Sequence, residues 1–204
     1  MAQQRLMFSH AFEALFARAF RGEVSERCRA RLHQAGLDLE RPLLPAYPIE
    51  VWVAALEITV SEVFPELPRP EGYRRVGERL LRGYVQTFIG RANFSLLRLL
   101  GPVRALERLS AHLRANNNFQ ETRLTPLAPG QWQLWINTAV SEPAYYEGLL
   151  QAALEEVGAP TPRVHSGVRT DDGCTYRITW GPQPLESPSP ASASLSLGQP
   201  GGGR

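Results

Sequence analysis

Residues 120 to 180 alternate apolar and polar side chains in two paired runs, with an amphipathic helical stretch between them. No other feature of the chain restricts its fold as much. In the last run Cys174, Tyr176, Ile178 and Trp180 take every second place, with Thr175, Arg177 and Thr179 between them. A period of two belongs to a strand with one buried and one wet face. Residues 120–127 and 131–138 form the earlier pair, turning at Ala128-Pro129-Gly130, where proline presets φ and glycine relieves strain. Trp132, Leu134 and Ile136 face one way. The later pair is expected to turn at Asp172-Gly173. Between the pairs Tyr145, Leu149, Leu150, Ala153, Leu154 and Val157 share a helical face, with Ser141 as the expected cap and Gly158 as the stop.

The first half of the chain has helical periodicity instead. Phe8, Phe12, Leu15, Phe16, Ala19 and Phe20 form one stripe, and a short helix follows Ser25 to about Gly36. Prolines at 42, 45 and 48 make the next stretch an extended linker. Val51, Trp52, Ala55, Leu56, Thr59, Val60 and Val63 trace a third helix. A fourth starts near Glu71 and turns Val76, Leu80, Leu81, Tyr84 and Phe88 inward. Helices over about 91–100 and 102–115 are separated at Gly101-Pro102. Gly77, Gly83 and Gly90 lie inside helices, where each costs about 1 kcal/mol relative to alanine. Close helix packing or a ligand near the backbone would compensate.

These blocks predict an α+β fold. An N-terminal helical half, residues 1–117, packs on a four-stranded, mainly antiparallel sheet formed by a ββαββ half, residues 118–180. The apolar fraction of 43% in 204 residues suits one such domain. Residues 181–204 are rich in Pro, Ser, Ala and Gly and are expected to be disordered. No apolar run is long enough to span a bilayer, and Glu13 and Arg18 interrupt the start where a secretory leader needs an unbroken apolar core. The protein is therefore expected in the cytoplasm. Cys28 and Cys174 lie far apart and read as ordinary buried thiols.

Lysine is absent, so all 22 basic residues are arginine. Residues 69–114 hold ten arginines against Glu71, Glu78 and Glu107, while the segments on either side carry a net negative charge. Such a field either draws an anionic partner or pairs with the acidic flanks inside the fold. Arg75, Arg79 and Arg82, on one stripe, are the candidate partner surface.

A resemblance rests on Gly36-Leu37-Asp38-Leu39, on Arg41-Pro42-Leu43-Leu44-Pro45-Ala46-Tyr47-Pro48, and on Gly83-Tyr84 with Thr87 and Gly90. Leu100-Gly101-Pro102, Asn116-Asn117 with Phe119, and Thr175-Tyr176-Arg177 with Thr179-Trp180 extend it. In these segments the chain resembles a paralogous family of unknown function expanded in myxobacteria. The order helices, strand, strand, helix, strand, strand is similar to the ligand-binding fold of vinyl-reductase-type sensor domains, haem-dependent nitric-oxide sensors and vesicle-tethering subunits. That resemblance places Gly148-Leu149-Leu150, Cys174 and Tyr176 at familiar positions. The Tyr-x-Ser-x-Arg haem-propionate motif of the nitric-oxide sensors is missing, as is the cysteine cluster proposed as a metal site in the vinyl-reductase-type domains.

No catalytic or metal-binding motif is present, and His10, His33, His112 and His165 are scattered. His165 with Glu121 is the single acid-base pair worth testing. Trp52, Tyr84, Phe88, Trp132, Tyr145 and Tyr176 are candidates to line an apolar pocket between helices and sheet, with Arg91 or Arg123 as a polar handle. The inward residues of the last strand, Cys174, Tyr176, Ile178 and Trp180, decide whether that interior is core or pocket, and tight packing of all four would remove most support for a sensory reading. The expectation is a non-enzymatic sensory or adaptor module without metal or cofactor. Its partner is a small apolar ligand or a protein, with a homodimer left open and neither nucleic acid nor a membrane span expected. The alternative readings are an interaction module using the arginine-rich helix 71–88, and an enzyme of unassigned chemistry.

Overall fold

The computed structural model describes residues 3–137 and 140–181; the expected disordered tail lies outside the described residues except for Gly181, whose amide donates to the Pro160 carbonyl at 3.0 Å. Two short strands, β1 (Leu6–Phe8) and β2 (Ala46–Pro48), pair antiparallel with Met7 opposite Tyr47. The end of the proline-rich linker is therefore a strand. Between these strands run α1 (Ser9–Phe12), which widens into a π-helix over Glu13–Ala19, and α2 (Glu26–Gln34). Ser25 caps α2 as expected, its hydroxyl accepting from the Cys28 amide at 3.1 Å.

Helix α3 (Ile49–Val63) precedes α4 (Arg69–Gln86), which starts two residues earlier than expected because proline is tolerated in a helix's first turn. Helix α5 (Phe88–Glu107) is kinked at Gly101, where φ is +77° and Pro102 follows. Helix α6 (Leu109–Arg114) ends the helical half. The strands β3 (Thr122–Ala128) and β4 (Gln131–Ile136), helix α7 (Ala144–Glu156), and the strands β5 (Arg163–Thr170) and β6 (Gly173–Thr179) complete the order. Their sheet runs β3-β4-β6-β5 with every pairing antiparallel.

Two local expectations are corrected. The second hairpin turns at Asp171-Asp172, because Gly173 already sits in β6 opposite Thr170. Any Cβ on Gly173 would meet the Ile136 carbonyl and the Trp135 ring, so this glycine serves packing, not turning. Helix α7 starts after Pro143 with no side-chain cap, and the Ser141 carbonyl instead accepts a hydrogen bond from Arg169.

The main core draws on both halves, bringing Phe12, Leu15, Phe20, Trp52 and Leu56 together with Leu134, Ile136 and Tyr176. Cys174, Tyr176 and Ile178 are fully buried on the sheet face that packs on the helices. At the centre α4 crosses α7 at backbone distance. A Cβ on Gly77 would collide with the Tyr145 carbonyl, and one on Gly148 with the Arg74 carbonyl. Helix packing therefore explains the helical glycine at Gly77. Beside this crossing the buried Glu147 accepts from the Ser166 amide at 2.6 Å and pairs with Arg74.

Candidate ligand cavity

An apolar cavity of about 120 Å³ opens where α4, α5, α6 and α7 meet the N-terminal elements. Helix α3 contributes Ile49 and Trp52, and α4 contributes Leu80, Leu81 and Tyr84. Helix α7 presents Tyr145, Leu149 and Ala153. Further wall comes from Phe94, Leu97 and Leu106 of α5, from Leu109, His112 and Leu113 of α6, from Met7, Ala11 and Ala14, and from Asn117, Phe119, Gln120 and Val140 in the loops flanking β3 and β4. No side chain of β3 to β6 reaches it. The expected pocket between helices and sheet is thus displaced by one layer: the sheet face is packed core, and the cavity lies among the helices beyond it.

Few polar groups reach this wall, and most are held. Tyr84 accepts a hydrogen bond from the Asn93 amide at 3.0 Å, and the Tyr145 hydroxyl pairs with the Trp52 indole. Burial raises the Tyr145 pKa well above its ordinary value, so the phenol stays protonated. Asn117 donates to the Gln120 side chain at 2.7 Å and accepts from the Gln120 amide at 2.7 Å, while Gln120 donates to Tyr146. This buried network closes the loop between α6 and β3.

His112 is the exception. Its Nε2 is buried in the cavity wall and has no hydrogen-bond partner. Burial, helped by the nearby Arg108 charge, lowers its pKa, so at neutral pH it is an uncharged imidazole. Among the described residues Trp132 Nε1 is likewise buried without a partner, and the Tyr176 hydroxyl meets only the Cys174 thiol; neither residue lines the cavity.

Of the residues singled out from the sequence, the cavity gathers Trp52, Tyr84 and Tyr145. Phe88 is 82% exposed, because Thr87 ends α4 and caps α5, its hydroxyl accepting from the Gly90 amide at 3.0 Å. The new helix starts in a different phase and turns Phe88 outward. Arg91 is exposed and away from the wall. Arg123 stacks on Trp135, 3.9 Å from the ring centroid, on the sheet's outer face. Trp132 stacks on Trp180 with ring centroids 5.7 Å apart, and Tyr176 packs against Tyr146. Glu121 and His165 flank opposite edges of the sheet, so they form no pair.

The arginine surface is also revised. Arg75 is bound by Glu71 at 3.1 Å, Arg79 by Glu23 at 2.8 Å, and Arg82 lies 3.9 Å from Glu155. Arg69, Arg74, Arg98 and Arg114 likewise pair with Glu57, Glu147, Glu156 and Glu121. Segregated sequence charge becomes ion pairing inside the fold. Among the described residues no three metal-ligating side chains converge, and no helix is long and apolar enough to cross a membrane.

Two features escaped the sequence reading. His112 lies on the stripe of Leu106, Leu109 and Leu113, so a polar residue on an apolar helical face was the signal available. The second is the outer side of α5, where Phe88, Leu96, Leu99 and Val103 are exposed at helical spacing.

The order of helices followed by ββαββ is shared with H-NOX proteins of known structure, and the fold is H-NOX-like. An H-NOX protein of S. oneidensis in its Fe(II) ligation state superposes with a TM-score of 0.65 at 13% identity, covering 88% of this chain and 98% of that one. The Fe(II) unliganded H-NOX protein of K. algicida gives 0.63 at 9% identity, over 87% and 97%. An oxygen-binding H-NOX domain related to soluble guanylate cyclases, in its oxygen complex, gives 0.57 at 17%, over 89% and 96%. At such identities the likeness is one of fold. The chain itself belongs to the DUF2378 family, described as protein of unknown function, which matches residues 5–181. No curated protein matches the sequence.

Proposed function

We propose that this chain is a non-enzymatic, cytoplasmic sensory module that holds a small apolar ligand among its helices. The observation that carries this reading is the cavity itself, a void lined mostly by carbon at the junction of both halves of the fold. Close-packed interiors seldom keep such voids without use, since their lining forgoes dispersion contacts. The H-NOX likeness supports the same class. Native mass spectrometry of protein purified from its own host tests it. A retained small molecule is expected; bare protein that no apolar probe stabilises against heat overturns it.

Haem is the first ligand to consider, because one solved relative of this fold concerns haem redox potential and porphyrin distortion. The neutral His112 nitrogen suits iron. The rest of the site does not suit a porphyrin: drug-sized ligands already require roughly 300 Å³ or more, against about 120 Å³ here. Among the described residues no arginine lines the cavity to hold a propionate. The residues present do not fit haem, and no step is assigned to it.

A second reading is favoured by the exposed α5 stripe. An uncharged apolar stripe is complementary to itself, which makes a second copy of the chain its natural occupant. Leu99, 86% exposed, is the residue to change. The substitution Leu99→Glu should leave stability within about 0.5 kcal/mol and convert a dimer to a monomer in light scattering. A wild-type chain that is monomeric at high concentration rules this reading out.

A further inference from the structure

Among the described residues, His112 Nε2 is the one buried side-chain polar atom of the cavity wall without a hydrogen-bond partner, and it specifies a ligand more narrowly than volume does. A cavity of about 120 Å³ is close in size to the engineered apolar cavity of about 150 Å³ that stays dry and binds benzene. Six to eight heavy atoms are therefore about what it takes. A wholly apolar guest would leave His112 Nε2 buried without a partner, a standing cost in a low-dielectric interior. Water is a poorer guest, because a buried water needs two to four polar partners, whereas the wall is mostly apolar and Asn117 and Gln120 are engaged with each other. The guest that satisfies the wall thus has an apolar body and a single polar group. A hydroxyl suits both tautomers of a neutral imidazole, since it donates to a bare nitrogen and accepts from a protonated one.

Resting on the sensory reading above, we infer that the cavity binds a small apolar alcohol or phenol whose hydroxyl hydrogen-bonds to His112 Nε2. Leu109 and Leu113, on the same helical face, hold the imidazole against apolar surroundings. Phe94, Leu106 and Leu149 supply the surface for the body of the guest.

The test compares phenol with toluene, similar in size but lacking the hydroxyl, by calorimetric titration of the full chain and of His112→Leu. The expected result is phenol binding to the wild type and a fall of about tenfold or more in phenol affinity in the variant. Toluene affinity should hold or rise. A phenol-to-toluene ratio that is unchanged by the substitution overturns the role of His112 while leaving a ligand-binding cavity standing. Failure of both probes to bind the wild type overturns the cavity reading and the hydroxyl assignment together. A haemin titration gives the third outcome: a one-to-one Soret complex that His112→Leu abolishes overturns the phenol assignment and gives the nitrogen to iron. If His112→Leu does not fold, the ¹⁵N shift of the wild-type imidazole decides the matter. It should move with phenol and stay still with toluene; equal response to both overturns the assignment.

Discussion

The two sides of the cavity are built by opposite means. On one side α4 and α7 meet at backbone distance through Gly77 and Gly148, with Glu147 locking α7 to Arg74 and to β5. On the other, α5 is kinked at Gly101, leaves Leu99 and Val103 in solvent, and leads into α6, whose His112 nitrogen has no partner. The first side has no slack, because small residues and a satisfied charge leave a single arrangement. The second is loosely held and carries the unpartnered His112 nitrogen. A binding site gains from this division: a fixed wall sets the shape, and a less constrained wall admits the guest.

The strongest way to break the contrast is to insert a methyl group at the fixed crossing. Gly148→Ala places a Cβ against the Arg74 carbonyl, so α4 and α7 must separate, and urea unfolding should show a loss of about 3 kcal/mol. A loss below about 1 kcal/mol would mean that the fixed wall yields after all. The lock beside it comes next. Glu147→Gln removes the charge from a buried pair whose partner Arg74 is about one-third exposed, so about 2 kcal/mol is expected.

This lock also has a pH signature. Burial opposes ionisation of Glu147, but the Ser166 hydrogen bonds and the Arg74 charge outweigh it and hold the pKa below its ordinary 4.5. A carboxyl with a depressed folded-state pKa contributes stability that is complete above its unfolded value. That contribution disappears as pH falls through the folded-state value. The difference between wild type and Glu147→Gln should therefore be flat above pH 4.5 and shrink below it; a difference that grows in acid refutes the lock.

The smallest effect is expected on the other wall. Gly101 has φ +77° with nothing within 4 Å of where a Cβ would stand, so Gly101→Ala costs only backbone strain. About 1 to 2 kcal/mol by urea unfolding is the expected loss. A greater loss than at Gly148 would invert the ranking of the two walls.

Much of this architecture was legible locally. Alternation places Cys174, Tyr176 and Ile178 on a buried face because the period of a strand is set within a few residues. The Gly101-Pro102 break and the Ser25 cap are equally local. An apolar pocket with Trp52, Tyr84 and Tyr145 was legible, but its place among the helices was not, because that depends on which helical faces meet across distant segments. Phe88 continues the α4 stripe only if Thr87 is ignored; the cap restarts the helix and with it the phase. Arg123 faces Trp135 across a strand pair, so its orientation follows once register is known. Without register, an arginine near aromatics looked like a pocket handle.

The sheet has two free borders, and neither invites a visitor. Strand β3 carries Pro126, which has no amide to donate, and its register slips between Pro126 and Ala128. Strand β5 shifts register between Ser166 and Arg169, with Arg163 exposed further along. Both are ways in which natural sheets refuse another chain's strand. Self-recruitment through added strands is thereby closed off, and any assembly of this molecule has to be side chain against side chain, on a helical surface.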